Sequence, residues 1–189
     1  MAGETQKSTA LTNRQAGRLR AARLVEGKVR IAADTHQFAA ATELEAADKI
    51  IMDIPLPSNA IILDIAIYND DLDTDACATL TLDVGVAAAE AHSSKTSGVK
   101  TSYATDAVVD ADLFVDGSTS GAAATTTWTS LTPDSTTFGP EDALKPIWEL
   151  LGYDADTATT YNIVVTAATA SAALSAAGDL AIKVTYLVD

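Results

Sequence analysis

Cysteine is nearly absent: Cys77 is the only one in 189 residues, which excludes an intramolecular disulfide framework and a cysteine-built zinc site. As a lone thiol it is expected to be a small, buried, inert residue at a strand start. Histidine is almost as scarce. His36 and His92 stand 56 positions apart with no carboxylate or cysteine pattern beside either, so neither a histidine metal site nor a histidine general base is indicated. Ten glycines leave no phosphate-cradling loop. Long apolar runs are missing too: the best, Ala60 to Tyr68, is nine residues and contains Asp64, against the roughly 20 that a membrane helix needs. The first 25 residues hold no apolar core of a secretory signal, and no Asn-x-Ser/Thr sequon occurs. Synthesis in a cytosol without secretory processing is the expectation.

Positive charge is also in short supply. Acids outnumber bases 26 to 12, for a net charge of −14, and the pI is about 4.3. Such a molecule repels nucleic acid and anionic membrane. The imbalance is uneven along the chain. Residues 1–30 hold seven bases (Lys7, Arg14, Arg18, Arg20, Arg23, Lys28, Arg30) against two acids, a net +5, whereas the remaining 159 residues carry five bases against 24 acids, a net −19. A small basic end is attached to a strongly acidic body.

Of the 90 residues that make the chain 48% hydrophobic, 37 are alanine. The interior must therefore be built from 53 larger apolar side chains, enough for one domain and one core. Residues 1–28 read as an arm. On a helical wheel Arg14, Arg18, Arg20 and Arg23 scatter, as do Leu11, Leu19 and Leu24, so neither a basic nor an apolar stripe forms. Gly17 and Gly27 weaken a helix further, although Thr12 and Gln15 have capping-box spacing. An arm rich in arginine suits acidic or phosphate surfaces; a solubilising tail is the plainer alternative.

Residues 29–189 are written in period two, the signature of half-buried strands. Ile61, Leu63, Ile65 and Ile67 alternate with smaller or polar residues. From Cys77 to Val86, Ala78, Leu80, Leu82, Val84 and Val86 alternate with Thr79, Thr81, Asp83 and Gly85. Leu180, Ile182, Val184, Tyr186 and Val188 repeat the pattern, and Tyr161, Ile163 and Val165 open another strand. Weaker strands are expected at Val29–Ala32, Gln37–Thr42, Lys49–Ile54, Asp112–Val115 and Thr125–Leu131. Turn-forming clusters separate nearly all of them, as at Pro55–Asn59, Asn69–Asp75 and Asp116–Ser118. The spacing predicts an all-β, antiparallel β-sandwich. One short helix is expected over Glu141–Leu151, from Leu144, Trp148 and Leu151 at helical spacing after Pro140 and before Gly152, with Pro146 shortening it. Two low-complexity stretches, Ala87–Thr101 and Ser118–Thr132, are expected to be long surface loops, with Trp128 anchoring the second on the sheet.

Chemistry-bearing patterns are few. Asp71, Asp73 and Asp75 alternate like the start of a calcium loop, but the sixth and twelfth places hold Ala76 and Leu82 instead of Gly and Glu, which excludes an EF-hand. A weak calcium contact stands against the default reading, an acidic solvated loop. Gly117-Ser118-Thr119-Ser120-Gly121 mimics a nucleophile elbow, yet no histidine follows residue 92 to complete the usual order, so the match is chance. Paired carboxylates for sugar hydrolysis have 26 acids to draw on, and nothing singles out a pair. No cofactor is implied and no enzyme is expected.

One succession of residues points further. Leu44-Glu45-Ala46-Ala47-Asp48-Lys49-Ile50-Ile51-Met52, then Ile54-Pro55-Leu56-Pro57-Ser58-Asn59-Ala60-Ile61-Ile62, then Ile65 to Asp73, then Thr79-Leu80-Thr81-Leu82-Asp83-Val84-Gly85, resembles small virion structural proteins of tailed bacteriophages. Gly178-Asp179-Leu180 to Asp189 is similar to their closing strand. The resemblance spans about residues 30–86 and 178–189. It implies a jelly-roll-like sandwich with an extended N-terminal arm, often trimeric, clamping neighbouring capsomers. With the charge split, it implies a capsid decoration or cement protein on the virion surface, binding the major capsid protein through Arg14, Arg18, Arg20, Arg23, Lys28 and Arg30. A head or tail appendage touching a host glycan or protein, with Trp128 in the contact loop, is the alternative.

Overall fold

The computed structural model describes residues 5–7, 28–39, 44–131, 142, 144–171 and 178–188. Twelve strands account for most of them: β1 (Thr5–Lys7), β2 (Lys28–Gln37), β3 (Lys49–Ile51), β4 (Leu56–Pro57), β5 (Ile61–Asn69), β6 (Thr81–Ala88), β7 (His92–Thr96), β8 (Val99–Tyr103), β9 (Val108–Ser118), β10 (Thr129–Ser130), β11 (Thr160–Thr169) and β12 (Asp179–Val188). A 3₁₀ turn, Thr119–Ala122, follows β9, and a single-turn helix, α1, covers Ile147–Leu150. Sheet I runs β1-β3-β11-β6-β9, with β4 extending the pairing along β11. Sheet II runs β10-β5-β12-β2, and β7–β8 is a separate hairpin. Every pairing is antiparallel except β1 with β3.

The fold is the all-β sandwich that the alternating pattern predicts. Tyr161, Ile163 and Val165 of β11 and Leu82, Val84 and Val86 of β6 meet Ile182, Val184 and Tyr186 of β12 and Ile62, Ile65 and Ile67 of β5 in one buried cluster. Fully burying each such side chain is worth about 1.5–3 kcal/mol, so this shared face holds the two sheets together. Strand β12 is the spine of sheet II, paired with β2 on one side and β5 on the other.

Several local expectations need correction. In β5 the alternation slips: Ile62 is buried and Leu63 exposed. Thr185 pairs with Asp64 and Tyr186 with Ile62, so Leu63 is the extra residue of a bulge, and the inward set changes parity there. Strand β6 starts at Thr81 instead of Cys77, and Cys77 is exposed. The preceding backbone is taken up by loop aspartates: Asp73 Oδ2 accepts from Thr79 N (2.8 Å) and Leu80 N (3.0 Å), and Asp75 Oδ1 from Cys77 N (2.8 Å).

Val29–Ala32 and Gln37 belong to one continuous strand, β2, while Phe38 and Ala39 lie beyond it and residues 40–42 fall outside the described residues. The strand expected over Lys49–Ile54 stops at Ile51, ahead of Pro55, and that expected over Thr125–Leu131 shrinks to Thr129–Ser130. The helix keeps only the turn after Pro146, whose missing N–H is harmless at the N-cap; Leu144, ahead of it, is exposed, whereas Trp148 and Leu151 pack on the core. Pro140 and Glu141 lie outside the described residues.

Ala87–Thr101 is no loop: most of it is the end of β6 and the β7–β8 hairpin, turned by Ser97 (φ 50°) and Gly98 (φ 79°). Two consecutive positive φ angles make the tight two-residue turn that matches strand twist.

Gly85 is the glycine that the packing requires. Between Val84, opposite Val115, and Val86, opposite Asp110, β9 carries extra residues that fold over β6. A Cβ on Gly85 would lie 2.1 Å from the Asp110 carbonyl oxygen, a backbone atom that cannot step aside. Gly85→Ala is expected to destabilise the protein by about 1–3 kcal/mol or more, read from the midpoint of chemical denaturation. An unchanged midpoint would mean that β9 does not cross β6 in this way.

Candidate interaction surfaces

The basic leader touches the described structure at two places. Thr5–Lys7 adds a parallel strand to the edge of sheet I, pairing Thr5 with Lys49, Gln6 with Ile50 and Lys7 with Ile51. At the other end, Lys28 is already the first residue of β2, opposite Val188. Arg14, Arg18, Arg20 and Arg23 lie outside the described residues. Arg30, grouped with the arm on charge alone, is instead a half-buried strand residue of the sandwich, opposite Tyr186. Burial pushes the Tyr186 phenol up and the Arg30 charge pulls it back, so this arginine acts inside sheet II.

The outer face of sheet II concentrates exposed apolar surface. Among the described residues seven large hydrophobics are exposed, and five belong to this face: Val29 (59%), Ile31 (69%), Leu63 (45%), Tyr68 and Trp128. Val29 and Ile31 sit on β2, the last strand of sheet II, whose far edge has no strand partner among the described residues. Long edges of this kind, carrying apolar side chains, are sites of association unless something covers them. At the opposite end Trp128 tilts against Tyr68, ring centroids 6.0 Å apart, and lies under Lys183 Nζ at 4.8 Å. Trp128 is thus the sheet anchor that its loop composition suggests, although the residue remains 42% exposed. The sequence reading missed Val29 and Ile31; their own alternation with Arg30 and Ala32 is the signal that finds them.

Sheet I presents a different outside. Ile51, Ala87 and Val164 are buried on it, and its β9 edge is acidic. Burial raises the Asp110 carboxyl above the usual range, and its close neighbour Asp112 raises it further by hydrogen bond and by charge. Burial also raises Asp83, against a stabilising Gly117 N–H at 2.8 Å, with the charges of Asp116 and Asp112 adding to the rise. A carboxyl raised in the folded state penalises folding once ionised, an effect absent below its unfolded value and fully present above its folded one. Asp110→Asn is therefore expected to raise the denaturation midpoint at pH 7 and to leave it nearly unchanged near pH 3.

The aspartate run spends its oxygens on backbone N–H groups: Asp73 is buried, while Asp70, Asp71 and Asp75 are exposed. Asp70 Oδ2 accepts from Asp179 N (2.8 Å) and Asp71 Oδ1 from Asp73 N (3.2 Å), beside the Asp73 and Asp75 bonds already given. Asp73 is only 1% exposed. These carboxylates satisfy the backbone of the β5–β6 connection, and no group of three metal-ligating side chains forms among the described residues. Charge-assisted bonds of this type contribute about 1.5–3 kcal/mol, so Asp73→Ala should lower stability by that order. Calcium or a chelator should leave the wild-type melting temperature unchanged.

The remaining candidates are structural. His36 is buried edge-on against Phe38, centroids 4.7 Å apart. In the elbow-like stretch, Ser118 Oγ accepts from Ser120 N at 3.2 Å and caps the 3₁₀ turn. Asn69 Nδ2 donates to Asp70 O (2.7 Å) and Ala123 O (3.0 Å), tying the loop after that turn to the end of β5.

The sequence matches no protein-family model and no curated relative. Two solved structures share the fold. One is a chain of the capsid of Ralstonia phage GP4, 20% identical, with a TM-score of 0.62 over 98% of both chains. The other belongs to the capsid asymmetric unit of cyanophage Pam1, 22% identical, with a TM-score of 0.55 over 92% of this chain and 96% of that one. The chain therefore shares its fold with chains found in two phage capsids.

Proposed function

We propose that this chain is a non-enzymatic structural protein of a tailed-phage virion, most specifically a capsid decoration or cement protein. The observation that carries the reading is the end-to-end fold likeness to a chain of the GP4 capsid, with 98% of each chain aligned. A fold match alone does not assign a role, and three features of this chain support the finer one. The body has a net charge of −19 and the first 30 residues a net +5, so one end can seek acidic surface that the rest repels. Residues 8–27, tethered by β1 at one end and β2 at the other, have an extended length of roughly 66–72 Å, so a loop of them can reach out by about half of that towards a neighbouring subunit. Finally, Val29, Ile31 and Leu63 give sheet II an apolar outer patch beside an edge that has no strand partner among the described residues.

In this reading the protein is made in the host cytoplasm and sits on the capsid surface as a homotrimer, its partner the major capsid protein. Arg14, Arg18, Arg20, Arg23 and Lys28 engage acidic capsid surface. Arg30 is left to hold sheet II.

Replacing Arg14, Arg18, Arg20 and Arg23 together by Gln keeps the chain length and β1. It is expected to weaken binding to undecorated capsids at least tenfold in co-sedimentation, with the wild type losing affinity as salt rises. Undiminished binding would remove the arm from the mechanism. A host-contact role rests on one feature, the half-exposed Trp128 ring beside Tyr68 and Lys183. Host-cell binding by the isolated protein, lost in Trp128→Ala, would favour that reading over decoration.

A further inference from the structure

Short strands, charges and bulges are the usual means by which a sheet edge is kept from pairing with another chain. Among the described residues, most edges of the two sheets have one of them. β1, β4 and β10 are two or three residues long. β9 carries Asp110, Asp112 and Asp116 and loses register with β6 at three places. The edge strand β2 has none of these defences. It is ten residues long, and its register against β12 runs without a shift from Lys28 to Gln37. Its outward side chains, Val29, Ile31, Ala33, Thr35 and Gln37, are all exposed and uncharged.

The backbone of this edge is directed outward in a known order. Just beyond β2, Phe38 N donates to Gly178 O at 2.8 Å, in the same register as the β2–β12 pairing. Bonded and non-bonded pairs alternate along an antiparallel ladder, so the even residues of β2 turn their N–H and C=O groups to β12. The odd ones turn theirs to the open edge. Of these, Thr35 N donates to Asp34 Oδ1 at 2.8 Å, near the end of the strand.

A strand that pairs antiparallel with its own copy does so about a two-fold axis, and the contact is self-complementary. Because side chains alternate between faces, each residue must oppose one of its own parity, so the register is set by which residue lies on the axis. The inward charges Arg30 and Asp34 choose it. Centred on Arg30, the pairing opposes like charges; centred on Ile31 or Ala33, it opposes Arg30 with Ala32 or His36. Centred on Ala32, it opposes Arg30 of each copy with Asp34 of the other and overlaps residues 28–36. Opposite charges across a ladder stabilise it and like charges do the reverse. Asp34 is held in place for this by Asp53 N, which donates to Oδ2 at 2.6 Å, and each of its oxygens keeps a further acceptor site. On the outer face the same register seats Ile31, 69% exposed in the single chain, opposite Ala33 of the second copy and diagonal to that copy's own Ile31.

We infer that the β2 edge binds a second copy of this chain about a two-fold axis at Ala32, joining two copies of sheet II into one continuous sheet. The contact goes beyond the decoration role and needs no capsid. A homotrimer built on another surface would be linked to its neighbours through it.

The test is disulfide trapping of the full chain in a Cys77→Ser background. Even residues form the non-bonded pairs of the new ladder, so the two copies of residue 32 face each other at a Cα separation of about 4.5 Å, inside the disulfide range of about 4.4–6.8 Å. Under mild oxidation Ala32→Cys should cross-link at least tenfold faster than Thr35→Cys, although Thr35 is the more exposed position and chance collision would give the opposite order. Ile31→Glu alters a side chain that is exposed in the single chain, so it should leave the melting temperature of the dilute protein unchanged and weaken self-association in sedimentation at least tenfold. A wild type that stays monomeric, trapping at Ile31→Cys or Ala33→Cys that outpaces Ala32→Cys, or self-association unmoved by Ile31→Glu would each overturn the assignment.

Discussion

The contact on which the rest of the structure depends is the dry face shared by β11 and β6 of sheet I and β12 and β5 of sheet II. More than a third of the apolar residues are alanine, and the loops are rich in Ser and Thr. The larger aliphatics must therefore be gathered where they count, and they are: Leu82, Val84, Val86, Ile163, Val165, Ile182 and Val184 all enter one cluster. Once that face is closed, the outer surfaces are free to differ. Sheet II turns out Val29, Ile31, Leu63 and Trp128; the β9 edge of sheet I turns out carboxylates; the hairpin turns out hydroxyls and ammonium groups. A rigid scaffold with three chemically distinct exteriors suits a protein whose work is contact.

The legible part of this fold was written in alternation. Strand β12 buries one face and half-buries the other over most of its length and β6 does so over its first half, so Leu80 to Val86 and Leu180 to Val188 could be placed on the core directly, whereas β11 is buried on both faces from Tyr161 to Ala167 and was legible only from its large alternate residues. What was illegible lacked that contrast. Ser93 to Ser102 in the hairpin has polar residues on both faces, and it is held by Asp154, about 57 residues away, which no local pattern reveals. The β5 bulge at Leu63 is invisible because a run of Ile and Leu satisfies either parity; only the register against β12 decides which of them face inward. Cys77 was misplaced for a related reason: alternation continues through Ala78 and Leu80, but the backbone there is claimed by Asp73 and Asp75.

The candidate site was legible in charge and illegible in geometry. A basic end on an acidic body is visible from counting, whereas Arg30 could not be separated from the arm until its pairing with Tyr186 was known. The apolar outer patch of sheet II was hidden because Val29–Ala32 reads only as a weak strand with no face assigned; the pairing with β12 makes Val29 and Ile31 outward residues of an edge strand. The aspartate run was legible in composition and not in its hydrogen bonds. Its spacing hints at a cation, yet its oxygens are turned onto backbone N–H groups that an irregular connection would otherwise leave unmet.

The central claim is that this sandwich is a repeated surface element of a viral shell and performs no bond-making chemistry. A density map of the intact virion at a resolution sufficient to fit the sandwich tests it most directly. The account predicts hundreds of symmetry-related copies on the outer face of the capsid, with density from residues 8–27 of each copy reaching acidic surface of an adjacent subunit. A handful of copies confined to one vertex, or none in the particle, would contradict it.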